Sequence, residues 1–322
     1  MKVLIAPDSF KGTYSAAQVA AAIASGIESG GVDPVALPVA DGGEGTLAAL
    51  TGPLALSIVE APACNPWGVP CTGRYGLSTA GTALIEIAEV SGITTPHDGA
   101  RDALTASTFG TGLLIADAIR RGARQIVVAA GGSATTDGGA GAIEALRSAG
   151  VVPHATTILT DVTTRFVDAA AVFAPQKGAD AAGVAELTAR LSTLASELPR
   201  DPREVEGSGA AGGFAGGMWA AFDAQIVGGA DFVLDASGFD EHVADAAAVI
   251  VGEGRLDAQT QHGKIISAIL RRTGTLPVYA VVGSVGEYLG DYRDRFADVL
   301  VATDEPAMRA AGTSVAAALS RS

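Results

Sequence analysis

Cysteine is scarce, with only Cys64 and Cys71 in 322 residues. That excludes a disulfide framework and a Cys-rich zinc site, and it fits a reducing compartment. Lysine is also scarce, at four residues against seventeen arginines. With 21 Lys+Arg against 35 Asp+Glu the formal net charge is −14. No basic block offsets it, so neither nucleic acid nor an anionic membrane is an expected partner. No uninterrupted apolar stretch reaches the ~18 residues of a membrane span. The run Val3–Ala6 stops at Pro7 and is too short for a secretory core, so a cytoplasmic location is expected. Catalytic signatures are missing too. There is no G-x-S-x-G, no H-E-x-x-H and no Walker A loop, and the first strand runs into PDSFKG rather than G-x-G-x-x-G. These absences disfavour a serine nucleophile, a zinc hydrolase and a nicotinamide dehydrogenase. His97, His154, His242 and His262 are scattered.

What is present is apolar and rich in glycine. Hydrophobic residues make up 48%, enough to bury a sizeable core, and the length suits about two domains. The 42 glycines are about twice the usual ~7% share and cluster between apolar runs. Apart from Lys2, each lysine adjoins a glycine: Lys11 in F-K-G-T, Lys177 in Q-K-G-A and Lys264 in H-G-K-I. Compact ammonium groups kept at three turns point to a polyanion site, even in an acidic chain.

The hydrophobic patterning alternates. Strands are expected at Val3–Ala6, Pro34–Val39, two within Leu56–Tyr75 around N-P-W-G, Gln125–Ala130, Ala170–Phe173, Ala246–Val251, Val278–Val282 and Val299–Ala302. Helices are expected at Ser15–Ser29, Glu44–Leu50, Ala83–Glu89, Thr111–Arg121, Ala142–Ala149, Ala182–Glu197 and Gly263–Arg272. Pro199–Gly217 reads as the most loop-like stretch. The fold class is therefore α/β, as two α/β domains with largely parallel sheets.

Four strand-end loops carry the polar chemistry and suggest one shared site, since parallel sheets bind ligands beyond the carboxyl ends of their strands. PDSFKGTYSA (7–16) offers Asp8, Ser9 and Lys11, beside helix-capping Thr13 or Ser15. ADGGEGT (40–46) offers Asp41 and Glu44, suiting either a solvated turn or a Mg²⁺ or hydroxyl site. GGSATTDGGAG (131–141) follows a buried strand and opens a helix, a geometry for main-chain binding of phosphate by Gly132, Ser133 and Thr135, with Asp137 as a helix cap or metal ligand. GEGRLDAQTQHGK (252–264) gathers Glu253, Arg255, Asp257 and Lys264.

With these residues in view, the chain resembles the glycerate kinase family. The resemblance runs in order through APDSFKGTYSA, PVADGGEGT, TALIEIAEVSGI, STFGTGLLIADAI, GGSATTDGGAGA, FAPQKGA, GSGAAGGFAGG and VGEGRLDAQTQHGK. It implies two α/β domains with a cleft between them, formed here by 1–60 plus 250–322 and by 61–249, the second with a mixed sheet. It also implies phosphorylation of D-glycerate by ATP with Mg²⁺. In-line transfer needs positioning and charge neutralisation more than a reactive side chain. The expected roles are catalytic for Lys11, Asp41, Asp257 and Arg255, and substrate-binding for Asp8, Ser9, Glu44 and Asp161. Gly132, Ser133, Thr135, Lys177 and Lys264 would bind nucleotide, and Asp137 and Glu253 metal. The acids Asp41, Glu44, Asp137 and Asp257 remain interchangeable as Mg²⁺ ligand or proton acceptor. Lys11 and Arg255 suit either the substrate carboxylate or the migrating phosphoryl group. A homo-oligomer is compatible. The chain departs from the family pattern between Gly150 and Thr160, where it is shortened, and at Asp161–Phe166, which lacks the family's proline. A kinase for another small hydroxy acid, or a weak paralogue binding an anionic metabolite, is the alternative.

Overall fold

The computed structural model describes residues 1–95, 102–257, 265–286 and 289–321. Its strands in chain order are β1 (Lys2–Pro7), β2 (Asp33–Ala36), β3 (Leu56–Cys64), β4 (Pro70–Ser78), β5 (Thr82–Glu86), β6 (Gln125–Ala129), β7 (Thr156–Thr160), β8 (Gln225–Gly228), β9 (Ala248–Leu256), β10 (Val278–Val285) and β11 (Asp298–Val301). The chain divides into two compact units. The first comprises Met1–Asp41, Ala48–Pro53 and Ala230–Ser322, and the second Gly42–Leu47 and Leu54–Gly229. These bounds depart from 1–60 plus 250–322 at both joins. Residues from Leu56 pair with β4 across the full antiparallel hairpin, which carries them into the second unit. The helices Gly229–Ala236 and Phe239–Ala244 sit on the first unit's side, where Arg272 joins Asp231 and Asp235.

The first unit is an all-parallel sheet of order β11-β10-β9-β1-β2. Counted within the unit, this is a 2-1-3-4-5 winding, which reverses direction between β1 and β9. A strand buried on both faces needs apolar residues throughout, and Val3–Ala6 and Ala248–Val251 are each almost wholly buried. Ser15 caps the helix Ala16–Ser29 reciprocally with Gln18. That helix lies against Glu305–Leu319 with almost no space between main chains. A Cβ on Gly26 would meet Arg309 O at 2.0 Å, and one on Gly312 would meet Ile23 O at 2.3 Å.

The second unit has the order β3-β4-β5-β6-β7-β8, antiparallel from β3 to β5 and parallel from β5 to β8. Several expectations need correction here. Ala83–Glu89 is not a helix but β5 followed by the short helix Ala88–Ser91. Its fully buried Leu84 and Ile85 sit between β4 and β6, and a short apolar run does not reveal its own period. Ala170–Phe173 is a helical turn, Ala169–Phe173, not a strand. Alanine favours helix, and Val172 is 53% exposed, which no central strand position would be. Pro199–Gly217 is no loose loop. Gly207–Gly213 is buried, with Gly207 and Gly209 against 160–165 and Gly212 and Gly213 against 135–138, and Phe214 starts a helix. In the first unit β9 continues to Leu256, so Glu253 and Arg255 belong to a strand paired with β10.

Candidate active site

In the first unit, β1 ends at Pro7, and the amide of Asp8 donates to Gly252 O at 2.8 Å. The chain thus enters its first loop at the point where the sheet's winding reverses, the usual crevice of such sheets. A cavity of about 480 Å³ opens there. Seven of the sequence-derived candidates line it: Asp8, Ser9, Lys11, Asp41, Glu253, Arg255 and Asp257. Thr13, Ser284 near the end of β10 and Thr303 just after β11 complete its polar wall. Asp8 is buried, and burial together with the neighbouring Asp41 carboxylate raises its pKa from 3.8 to about 7. The Ser9 amide, donating to Asp8 Oδ1 at 2.6 Å, and Lys11 act in the opposite direction but do not prevail. Arg255 is 3.5 Å from Asp257 and largely exposed.

The second unit has its own cavity of about 300 Å³ at the carboxyl ends of β6 and β7. Gly132, Ser133, Asp161 and Lys177 line it, with Gly131, Ala210 and Ala211 contributing a largely main-chain wall. Ile93, Val162 and Phe173 form its apolar side. Ala211 holds φ +52, a left-handed conformation disfavoured for a residue with a Cβ. Lys177 is only 7% exposed. It closes the one-turn helix Pro175–Lys177, which Gly178 ends at φ +101. Its Nζ donates to Ser133 Oγ at 3.1 Å and to Thr135 O at 2.5 Å. Burial lowers its pKa from 10.5 to about 8, with the Asp137 charge opposing.

Other candidates stand apart from both cavities. Asp137 is a tether: Oδ2 accepts from the Thr108 amide and hydroxyl, both at 2.8 Å, and from Gly141 N at 3.2 Å, while Oδ1 accepts from Gly139 N at 3.0 Å. Those bonds pin the glycine loop to the helix Phe109–Arg120, and they leave little lone-pair capacity for a metal. Thr135 meets Lys177 through its carbonyl, not its hydroxyl. That hydroxyl is buried with no hydrogen-bond partner among the described residues. Glu44 lies in the second unit, close enough to help raise the pKa of Glu86, whose main cause is burial. Lys264 falls outside the described residues.

Glu86 escaped the sequence reading. Its Oε1 accepts from Gly45 N at 3.0 Å and Leu47 N at 2.7 Å, fixing the acidic loop that carries Glu44. The signal was available, since an acid inside the apolar run TALIEIAEV needs a buried partner. The altered segment after Asp161 also has a structural reading. Asp161 and Val162 line the cavity, whereas Thr163 and Thr164 accept from Gly207 N and Gly209 N. Phe166 is fully buried among residues of the helix Ala181–Glu197. Its ring lies close to Gly138, Gly213 and Gly216, where any Cβ would collide with it.

Comparison with known proteins places these loops in one lineage. The model of the glycerate kinase family matches residues 3–152 and 152–320, its two segments meeting where the chain looks shortened. The glycerate 2-kinase of Escherichia coli (strain K12) is 35% identical, over 90% of this chain and 87% of that protein. The glycerate kinase of Bacillus subtilis (strain 168) is 36% identical, over 88% and 85%. A crystal structure described as glycerate kinase 2 from Salmonella typhimurium LT2 superposes with a TM-score of 0.83 at 33% identity, covering 100% of this chain and 98% of the other. The chain belongs to the glycerate kinase family.

Proposed function

We propose that this protein phosphorylates D-glycerate with ATP by in-line phosphoryl transfer. The observation that carries the reading is the match to relatives named glycerate kinase along about nine-tenths of the chain. The first unit's cavity supports it chemically. Phosphoryl transfer asks a protein for placement and for charges that meet those of the phosphates. Among the described residues Lys11 and Arg255 are the cations on that wall, and they would face the migrating group.

Magnesium fits the same wall. It takes hard oxygen ligands, keeps several waters and is commonly held by one or two carboxylates plus substrate phosphates. Among the described residues no group of three or more potential ligands is gathered tightly enough to hold an ion alone. A cation arriving with its phosphates needs no such cage. Burial and, after it, the neighbouring Asp41 carboxylate raise the pKa of Asp8, so a dication there would relieve a repulsion already present. Asp41, Glu253 and Asp257 would hold it. Once bound, Mg²⁺ would neutralise developing phosphate charge.

The name of the E. coli relative favours the 2-hydroxyl as acceptor. A phosphorus NMR spectrum after incubation with ATP, Mg²⁺ and D-glycerate tests the reading. The expected result is ADP together with the 2-phosphate ester resonance. ADP with the 3-phosphate ester would change the acceptor. The absence of any glycerate-dependent ester would overturn the function.

A further inference from the structure

We infer that the second unit's cavity is the site of the small hydroxy acid, its carboxylate seated on Lys177 and its hydroxyl facing Asp161. This rests on the kinase reading above, and it reverses the expectation that Gly132, Ser133, Thr135 and Lys177 hold nucleotide.

Three observations separate the cavities. The first is charge. Among the described residues the second unit's cavity is lined by one cation, Lys177, and one acid, Asp161. A single buried ammonium balances a monoanion. It leaves a triphosphate largely unneutralised, since among the described residues the wall offers no second cation. The first unit's cavity carries Lys11 and Arg255 with four carboxylates, the pairing that a metal-bound polyphosphate requires.

The second observation is the lysine's geometry. Among the described residues two of its three N–H groups have partners, Ser133 Oγ and Thr135 O. The remaining donor, on an ammonium fixed at both other positions, gives one directed contact suited to a carboxylate oxygen. Burial strengthens that contact, because a charge-assisted hydrogen bond gains in a low-dielectric site.

The third is the lining. Ile93, Val162 and Phe173 face the polar group across about 300 Å³, against about 480 Å³ in the first unit. At roughly 30 Å³ for each water-sized group, the smaller space takes about ten such groups. That is sufficient for a three-carbon hydroxy acid, and the first unit's cavity is more than half as large again. The winding reversal of the first unit, by contrast, is where sheets of this order take nucleotides.

Calorimetric titration of D-glycerate and of Mg·ADP, each alone, into wild-type protein and variants tests the assignment. Lys177→Met should weaken glycerate at least tenfold and leave Mg·ADP within twofold. Lys11→Met should do the reverse. Asp161→Ala, at an exposed position, should weaken glycerate about fivefold or more, and it carries the test if Lys177→Met does not fold. Loss of Mg·ADP with glycerate retained, in Lys177→Met or Asp161→Ala, would overturn the assignment. So would unchanged glycerate affinity in Asp161→Ala. Either result with an active wild-type enzyme leaves the kinase reading standing. A wild-type protein that binds glycerate but forms no ester sinks the kinase reading and not the site.

Discussion

On the wall of the first unit's cavity the group that burial perturbs is an acid, Asp8; on the wall of the second unit's cavity it is a base, Lys177. One physical cause, the penalty on charge in a poorly solvated place, acts in opposite senses. The surroundings differ in the same way. Around Asp8 the loop glycine is free, and a Cβ on Gly12 would meet nothing within 4 Å. Around Lys177 the glycines are pressed together, and a Cβ on Gly212 would lie 2.0 Å from Thr135 O. In the first unit, then, side chains supply the chemistry and the loop can adapt. In the second, the main chain is the wall and cannot yield.

The largest effect should come from that wall. Gly212→Ala combines a collision with φ +65 and should destabilise by about 3 kcal/mol or more. Gly12→Ala, at φ +81 in open space, should cost only about 1 kcal/mol. A chain of two units need not unfold in one step, so the probe must be local. Both tryptophans, Trp67 and Trp219, lie in the second unit. Denaturant melting followed by tryptophan fluorescence should move for Gly212→Ala and stay for Gly12→Ala. Equal shifts would erase the contrast.

The same contrast explains what the sequence could and could not reveal. Asp8, Lys11, Asp41 and Glu253 were recognisable because each is a polar residue at the end of an apolar strand, where a parallel sheet exposes its edge. Lys177 stood out through rarity. The role of GSGAAGGFAGG was hidden, because glycine composition looks alike whether the chain is loose or packed backbone to backbone. β5 was misread because Leu84 and Ile85 are buried on both sides and show no alternation. β7 was missed: Thr156–Thr160 is short and half polar, yet Thr156 and Thr160 are buried in the sheet. The helix Glu305–Leu319 was also missed, although Asp304 caps it and Met308, Ala311, Val315 and Leu319 recur at helical spacing. Asp137 was ambiguous from sequence alone, because a tether and a metal ligand use the same side chain. Only the four hydrogen bonds distinguish them.

Titration should sharpen the contrast through the slope of stability against pH. The pKa of Asp8 is raised on folding, so the native chain holds a proton that the unfolded chain has lost between pH 3.8 and about 7. Its contribution is full below that window and disappears as pH rises through it. Lys177 is depressed, so its contribution is present above pH 10.5 and is lost as pH falls through about 8. Stability measured against pH should therefore lose slope between pH 4 and 7 in Asp8→Asn, and between pH 8 and 10.5 in Lys177→Met. Only slopes are compared, because Lys177→Met also removes two hydrogen bonds. The functional counterpart is a glycerate KM that climbs as pH passes about 8, when the ammonium discharges.

The smallest effect should fall on the segment that departs most from the family pattern. Arg165 pairs with Glu204 at 2.5 Å, but the two side chains are 56% and 73% exposed. Exposed pairs contribute about 0–1 kcal/mol. Thr163 and Thr164 act through carbonyls that accept from Gly207 N and Gly209 N, and those bonds survive a change of side chain. Arg165→Ala and Thr163→Ala should therefore leave the melting midpoint nearly unmoved and the glycerate KM within twofold. Val162→Ala, one residue nearer the cavity, removes part of its apolar wall and should raise KM several-fold. If Arg165→Ala raised KM as much as Val162→Ala, the altered segment would reach the ligand. The second unit's cavity would then be walled by adaptable side chains after all, as in the first.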